Sequence, residues 1–266
     1  MCGIVGKIKP SKPEEVLQVL KEGFTALEHR GEDSYGIALF TGERFLFAKA
    51  MYLEEFLENL EKEMQERKID TVKWFIAHNR KRSTGSISIK TAHPVWDEEK
   101  SIFVIQNGTK KEFHTMLSEA VSDTHGILLF YREVRKDFLF RLLEGTGVVF
   151  IFDPKEKKIL FHKDEERTLF VNKEGIIASE PISSGEWAAV ESQNKTFNAE
   201  KGFPLKHGEY KHIKVSLKAY SVYCRACSTS KKITVDNDLR CPTCFYFGKE
   251  ITQTSSYTLY SHGGVT

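Results

Sequence analysis

The chain has 266 residues, of which 40% are hydrophobic and 29% are charged, and its formal net charge is +2. This composition is typical of a globular protein with one large domain, or one domain and a small appendage. The nearly neutral charge gives no bias towards nucleic acids or membranes, and every apolar run is too short to span a bilayer.

Hydrophobic periodicity divides most of the chain into strands and helices. It predicts a strand over 3–9, a helix over 11–30 capped by Ser11, a hairpin over 37–50, a helix over 53–67, strands over 71–78 and 101–106, and a helix over 126–143. Four closely spaced strands, over 148–153, 158–163, 168–173 and 176–179, are then expected to form a meander. Such strand–helix–strand runs predict a layered α+β domain.

The composition changes after about residue 216, where cysteines and turn-forming residues accumulate. We therefore predict a first domain over 2–215 and a small module over 216–250. The polar stretch over 251–266 is expected to be a flexible tail.

Four of the five cysteines form two matched pairs in the small module: Cys224, Cys227, Cys241 and Cys244. Two residues between thiolates let a pair bind one ion from a tight turn, and the second pair closes a tetrahedral site. We predict a structural zinc ion in a zinc ribbon, with an iron–sulfur site as the lesser alternative. Ribbons of this kind often contact nucleic acids or proteins. No secretory leader precedes these thiols, since GIVG is too short, and we expect a cytoplasmic protein with no membrane partner.

The fifth cysteine, Cys2, stands alone, and a lone cysteine is usually a small buried hydrophobe. Its position changes this expectation. If Met1 is removed, Cys2 carries a thiol with a pKa of about 8.5 beside an amine with a pKa of about 8. An N-terminal amine can act as the base that activates a neighbouring nucleophile.

Six segments then occur in a familiar order: MCGIVG, LEHRGEDSYGIA (27–38), AHNRKRSTGSISIKTAHPVW (77–96), VIQNGT (104–109), SDTHG (122–126) and IIASEP (176–181). Together they resemble the class II glutamine amidotransferase domain, an N-terminal nucleophile hydrolase, over about residues 2–215. The resemblance implies a four-layer αββα sandwich. It also implies that Cys2 attacks the side-chain amide of glutamine.

The resemblance assigns further roles to residues of this chain. It implies that Asn107 and Gly108 form the oxyanion hole, although Asn-Gly also favours a turn at a strand end. Arg80 would bind the substrate α-carboxylate, helped by Ser83, and Asp123 would bind the α-ammonium group. Alternatively, Arg80 is a surface charge and Asp123 a helix cap.

Four positions depart from the usual pattern of this family: Lys81 replaces an aromatic residue, Ser83 a threonine, Gln106 a histidine and Glu112 an asparagine. The nucleophile, the oxyanion hole and both substrate-binding residues are retained. The departures bear on closure of the site and on coupling to a partner.

The sequence contains no nucleotide-binding Gly-rich motif that would indicate an ammonia-accepting synthetase. We therefore expect a free-standing glutaminase subunit that supplies ammonia to a separately encoded synthetase. One alternative is a non-catalytic scaffold whose zinc ribbon binds nucleic acid or a protein partner. Another is a cysteine hydrolase of a different linear amide.

Overall fold

The computed structural model describes residues 2–97, 99, 101–133, 136–203, 205–216, 220–224, 229–233, 251–253 and 260–262. The helices are α1 (Pro13–Ala26), α2 (Leu53–Glu66), α3 (Glu112–Thr115), α4 (Asp123–Glu133) and α5 (Lys136–Leu143). Short 3₁₀ turns cover Glu28–Arg30, Ala199–Lys201 and His207–Glu209. The strands are β1 (Gly3–Lys7), β2 (Ser34–Phe40), β3 (Phe45–Ala50), β4 (Trp74–Arg80), β5 (Val95–Trp96), β6 (Phe103–Asn107), β7 (Val148–Asp153), β8 (Lys158–Lys163), β9 (Phe170–Asn172), β10 (Ile176–Ala178), β11 (Gly185–Ala189), β12 (Gln193–Asn198), β13 (His212–Ser216), β14 (Tyr220–Cys224), β15 (Thr229–Ile233), β16 (Ile251–Gln253) and β17 (Tyr260–His262).

In the described part of the chain these strands form two large antiparallel sheets and one small one. The nine-stranded sheet has the order β17-β13-β11-β9-β10-β1-β4-β2-β3, and the five-stranded sheet has the order β12-β8-β7-β6-β5. The three-stranded sheet has the order β15-β14-β16. The first strand of the chain, β1, therefore lies inside the nine-stranded sheet between β4 and β10.

Three apolar clusters separate four layers. The two large sheets pack face to face through side chains such as Ile4, Trp74 and Phe150. Helices α1 and α2 cover the other face of the nine-stranded sheet, because their apolar residues recur every three or four positions and form one stripe. Helices α4 and α5 cover the five-stranded sheet in the same way. The layer order is αββα, as the resemblance implied.

Most predicted elements are present. The helix predicted over 126–143 is described as α4 and α5, and residues 134–135 between them lie outside the described ranges. Two other predictions are corrected. The four strands predicted as one meander divide between the sheets, since β7 and β8 belong to the five-stranded sheet and β9 and β10 to the nine-stranded sheet. Ser11 does not cap α1: the N-cap is Lys12 without a side-chain bond, and Ser11 instead exchanges main-chain hydrogen bonds with Val72.

The C-terminal part contributes strands to two sheets. Residues 251–253 pair with β14, and residues 260–262 pair with β13 at the edge of the nine-stranded sheet. The expectation of a loose tail therefore does not extend to these two segments. The predicted domain boundaries at 215 and 250 are not tested by these contacts and stay predictions.

Candidate active site

Cys2 lies where β1 begins and β4 ends. The antiparallel register pairs Gly3 with Asn79, which places Cys2 beside Arg80 and Lys81. The Sγ of Cys2 accepts a hydrogen bond from the main-chain N–H of Lys81 at 3.4 Å and lies 3.4 Å from the Lys81 carbonyl oxygen. Burial raises the pKa of the Cys2 thiol, while the Lys81 N–H and the charges of Arg80 and Arg30 favour the thiolate and oppose that rise.

A cavity of about 210 Å³ opens on Cys2. Its lining combines the predicted nucleophile, the predicted oxyanion residues, hydroxyl groups and three basic side chains: Cys2, Lys81, Arg82, Ser83, Asn107, Gly108, Thr109 and Arg167. A volume of this order suits a small polar molecule. The basic rim favours a substrate that carries a negative charge. A larger groove on the helical layer, between Leu117 and Glu133, contains no nucleophile.

Asn107 ends β6 and is fixed by a hydroxyl group from another sheet. Its Nδ2 donates to the Oγ of Ser179 at 2.9 Å, and the same Oγ accepts the main-chain N–H of Ile4 at 2.9 Å. Ser179 is fully buried just after β10, so it joins the nucleophile strand to the predicted oxyanion residue. An amide has two N–H groups, and the bond to Ser179 uses one of them.

Gly108 follows Asn107 in a space that admits no side chain. A Cβ placed on Gly108 would lie 1.7 Å from the carbonyl oxygen of Thr146. Because glycine has no side chain, the main chain after β6 can lie this close to Thr146 in the turn before β7. It brings the Gly108 backbone to the cavity wall beside Cys2.

Arg80 is buried at the end of β4 and does not line this cavity. Its guanidinium donates to the carbonyl oxygens of Thr84 at 2.7 Å and Ser86 at 3.0 Å, which folds the following loop around it. Burial lowers the pKa of Arg80, and the nearby acidic groups of Cys2 and Asp123 oppose this. In this conformation two of its nitrogens bind the protein's own carbonyl groups. Its predicted role as carboxylate ligand stays a prediction.

Asp123 begins α4 and is also buried. Its Oδ1 accepts from Thr84 Oγ1 at 2.6 Å and from the Thr124 N–H at 3.0 Å, and its Oδ2 accepts from the Lys110 N–H at 3.0 Å. The helix-cap alternative is not what the structure shows, because the Oγ of Ser122 accepts the N–H of His125 at 3.2 Å and Asp123 lies in the first turn of α4. Ser83 lies on the cavity wall, where its Oγ accepts from Thr109 at 2.9 Å. Substrate binding by Asp123 and Ser83 remains a prediction.

A partly buried ion-pair cluster holds the main chain of Cys2. Arg30 Nε donates to the carbonyl oxygen of Cys2 at 2.8 Å, and Arg30 NH1 pairs with Glu180. His29 Nε2 contacts the other oxygen of Glu180 at 3.0 Å. Although burial favours the neutral acid, the bonds and charges from His29 and Arg30 hold the pKa of Glu180 at about 2.

Sequence reasoning did not assign roles to Ser179, Glu180, Thr109 and Arg167, which all lie in or behind this site. The segment IIASEP, which contributed to the resemblance, contains Ser179 and Glu180. This motif could therefore have pointed to both residues, although neither was given a role. Nothing in the pattern around Arg167 could have found it.

The predicted zinc ligands fall mostly outside the described residues. Cys224 is the last residue of β14, and its side chain is not described; Cys227, Cys241 and Cys244 lie outside the described ranges. The zinc ribbon therefore stays a prediction. None of the helices in the described residues is long and apolar enough to cross a membrane.

The sheets and the position of Cys2 together define a class of protein. The fold is similar to that of the glutamine phosphoribosylpyrophosphate amidotransferase of B. subtilis, with a TM-score of 0.50 and 17% identity over 74% of this chain and 49% of that chain. It is equally similar to a structure described as the allosteric regulatory enzyme of purine biosynthesis, with a TM-score of 0.50 and 20% identity over the same shares. The chain therefore has the fold of the N-terminal nucleophile glutamine amidotransferases.

The sequence is similar to glutamine–fructose-6-phosphate aminotransferases. It is 31% identical to the Helicobacter pylori protein over 203 residues, which cover 69% of this chain and 33% of that protein. It is 34% identical to the Tropheryma whipplei protein over 197 residues, which cover 65% of this chain and 29% of that protein. The chain thus spans about a third of the length of these curated relatives. No family model matches the chain. These relatives are glutamine amidotransferases, in agreement with the resemblance inferred from the motifs.

Proposed function

We propose that this chain hydrolyses glutamine to glutamate and ammonia, with Cys2 as the nucleophile. The observation that carries the proposal is the single cavity wall shared by the Cys2 thiol, Asn107, Gly108 and basic side chains. The similarity to glutamine amidotransferases supports glutamine as the amide donor.

The chemistry follows from the groups on that wall. With Met1 removed, the α-amine of Cys2 takes the thiol proton, and Sγ attacks the side-chain amide carbon of glutamine. The negative charge that develops on the amide oxygen is stabilised by an N–H of the Asn107 side chain and by the Gly108 backbone N–H. Collapse of the tetrahedral adduct breaks the C–N bond, and the amine returns its proton to the leaving ammonia. Water then hydrolyses the thioester, releases glutamate and restores the thiol.

The substrate specificity rests on charge. An amino acid presents an α-carboxylate and an α-ammonium group. The cavity offers the guanidinium groups of Arg82 and Arg167 for the carboxylate, and the resemblance assigns the ammonium group to Asp123, which lies buried outside the cavity lining. A different linear amide without these charges would leave the basic rim unpaired. We therefore favour glutamine over an unrelated amide substrate.

We further propose that the ammonia passes to a separately encoded synthetase. This part of the proposal is supported by the curated relatives, which are named glutamine–fructose-6-phosphate aminotransferases and so transfer the glutamine nitrogen to an acceptor. We expect the immobilised chain to retain a synthetase from a cell extract. Nitrogen from labelled glutamine should then reach the product of that synthetase even when unlabelled ammonia is present in excess. If every retained protein leaves all of the ammonia free in solution, this part of the proposal is wrong.

The experiment that tests the central proposal has three parts. Intact mass establishes whether Met1 is absent, and glutamate and ammonia are then measured from glutamine for the wild type and Cys2→Ala. Turnover that disappears in Cys2→Ala is the expected result. The matched control substrate is asparagine, whose side chain is one methylene shorter than that of glutamine and which should be hydrolysed poorly. Failure to bind glutamine, despite a free Cys2, would contradict the proposal.

The second candidate function is a scaffold whose predicted zinc ribbon binds nucleic acid or protein. It is favoured by the basic residues among the ribbon cysteines, such as Arg225, Lys231 and Lys232. A gel shift with RNA and DNA that weakens steeply with added salt, together with unaltered binding by Cys2→Ala, would support it.

A further inference from the structure

Two histidines and a glutamate meet near the far edge of the nine-stranded sheet. Glu186 lies on β11 and His212 on β13, and the register places Glu186 opposite Lys214 and Ala188 opposite His212. Glu186 and His212 are therefore diagonal neighbours on one face of the sheet. His207 approaches them from the 3₁₀ turn that precedes β13. Strands β9 and β10 separate this cluster from β1 and its nucleophile.

The three side chains converge on one point. Each offers one ligand atom, and these atoms all lie within 4.8 Å of one another, the one such group among the described residues. The Nδ1 of His212 lies 2.5 Å from Glu186 Oε1. The imidazole rings of His207 and His212 have centroids 4.2 Å apart.

The hydrogen bonds of His212 leave its Nδ1 directed at a carboxylate oxygen. Its Nε2 lies 3.0 Å from the carbonyl oxygen of His207, which can only accept, so Nε2 carries a hydrogen. Metal-binding histidines commonly donate their second N–H to a backbone carbonyl in this way. A neutral His212 would then present a lone pair to the lone pairs of Glu186. Contact at 2.5 Å therefore requires a proton between the two atoms, and a metal ion that replaces this proton would hold them farther apart.

His207 and Lys173 complete the arrangement. The Nε2 of His207 is buried and has no hydrogen-bond partner in the described part of the structure. An unpartnered buried nitrogen costs free energy unless a ligand satisfies it. Lys173 Nζ binds Glu186 Oε2 at 2.5 Å, which holds the carboxylate and leaves Oε1 for the cluster.

We propose that Glu186, His207 and His212 bind a divalent transition-metal ion, with zinc as the ion that the ligands suit best. Imidazole ligands select zinc and related ions over magnesium and calcium, and two histidines with one carboxylate leave a fourth tetrahedral position for water. Zinc bonds of about 2.0–2.2 Å require ligand atoms roughly 3.3–3.6 Å apart. The Glu186–His212 contact must open slightly and His207 must move inward. These partly exposed side chains can make both movements.

The experiment measures bound zinc after dialysis of the full chain against buffered zinc. His207→Ala and Glu186→Gln are each expected to lose one zinc ion per chain relative to the wild type. Their controls are His114→Ala, a histidine on α3, and Glu209→Gln, a carboxylate in the same turn as His207. Zinc at the predicted cysteine site is unchanged in all four variants, so the difference belongs to this cluster. Unchanged zinc content in both cluster variants would overturn the proposal.

A second measurement needs no variant and separates the metal from the proton. Cobalt(II) added to the wild type is expected to broaden the imidazole NMR signals of His207 and His212, while thiolate-to-cobalt absorption reports the cysteine site separately. Sharp signals for both histidines in the presence of cobalt would mean that Glu186 and His212 form only a protonated ion pair. Glutaminase activity is not a readout, so failure here leaves the Cys2 proposal untouched.

Discussion

The side-chain amide of Asn107 donates to the hydroxyl of Ser179 at 2.9 Å, and that hydroxyl also accepts the N–H of Ile4, two residues after the nucleophile. One buried oxygen thus connects the strand that follows the proposed nucleophile to the side chain proposed for the oxyanion hole. This makes Ser179 a positioning residue for Asn107.

Ser179→Ala should lower kcat for glutamine hydrolysis by about ten- to a hundredfold. A preorganised oxyanion donor stabilises the transition state by roughly 3 kcal/mol, and Asn107 without its bond to Ser179 should keep only part of this. KM should change little, because the substrate charges are bound elsewhere. The stability loss should be about 1–2 kcal/mol. Ser11→Ala is the control, because Ser11 is a buried serine whose hydroxyl bonds the Lys9 carbonyl away from the site. Equal kcat in both variants would contradict a positioning role.

Gly108→Ala should abolish turnover or folding, because the added Cβ would lie 1.7 Å from the Thr146 oxygen. Gly208→Ala is the matched control, since no atom lies within 4 Å of a Cβ at that position. Thermal unfolding and glutaminase rate together measure the difference. A fully active Gly108→Ala enzyme would mean that the backbone can withdraw from Thr146 without moving the oxyanion hole.

Two arginines near the cavity should respond differently to substitution. Arg167 lines the cavity, so Arg167→Met should raise KM for glutamine about tenfold, equivalent to roughly 1.4 kcal/mol, with little change in Tm. Arg80→Met removes donors to two loop carbonyl groups and should lower both Tm and kcat. Steady-state kinetics beside thermal melts separate the two effects. A pure KM effect in Arg80→Met would favour direct carboxylate binding by Arg80.

Glu180→Gln should weaken the ion pair that orients Arg30, and with it the hydrogen bond from Arg30 to the Cys2 carbonyl oxygen. The pKa of Glu180 is held at about 2, below its unfolded value of about 4.3, so its contribution to stability is complete above that value and is lost as the pH falls towards 2. At neutral pH the variant should show a lower Tm and a lower kcat. Near pH 2 its stability should approach that of the wild type. Glu191→Gln, at an exposed carboxylate, is the control.

His78 should make the protein sensitive to acid. It is fully buried against His93, with ring centroids 4.1 Å apart, and burial holds its pKa at about 3. The unfolded chain takes up a proton near pH 6.5 and the folded chain does not, so stability falls as the pH drops from about 6.5 to 3, by up to about 1.4 kcal/mol per pH unit.

His78→Leu should flatten that dependence. Neither ring nitrogen of His78 has a hydrogen-bond partner in the described structure, so an apolar residue of similar volume sacrifices no bond there. Urea unfolding at several pH values measures the slope, and His114→Leu is the control. An unchanged slope in His78→Leu would assign the acid sensitivity to other groups.

Much of the architecture followed from local patterns. The stripe of Val16, Leu20 and Phe24 predicted α1, and the Thr41–Gly42 turn predicted the β2–β3 hairpin. The distribution of strands between sheets could not be predicted this way, because β8 and β9 have similar apolar content and their partners are set by tertiary packing. Pairing between strands that are distant in sequence produces no local pattern from which the partners could be predicted.

The motifs named several residues of the site, whose chemical roles stay predictions, and left much of its geometry unpredicted. Cys2, Asn107 and Gly108 meet as the motifs implied. The loop that surrounds Arg80 and the hydroxyl bridge through Ser179 depend on contacts between distant residues. No spacing rule connects residue 80 to residue 84 as donor and acceptor, or residue 107 to residue 179. Such partners become visible only when the sheets are assembled.

The central place of β1 in its sheet has a consequence for biosynthesis. Cys2 is synthesised long before its neighbouring strand β10 and before Ser179, which bonds to β1. The site therefore has a high contact order, and its assembly waits for translation to pass Ser179. A nascent chain halted before that residue should contain the Cys2 thiol without the Ser179 bond to Asn107, so the proposed glutaminase activity should appear only after both sheets have formed.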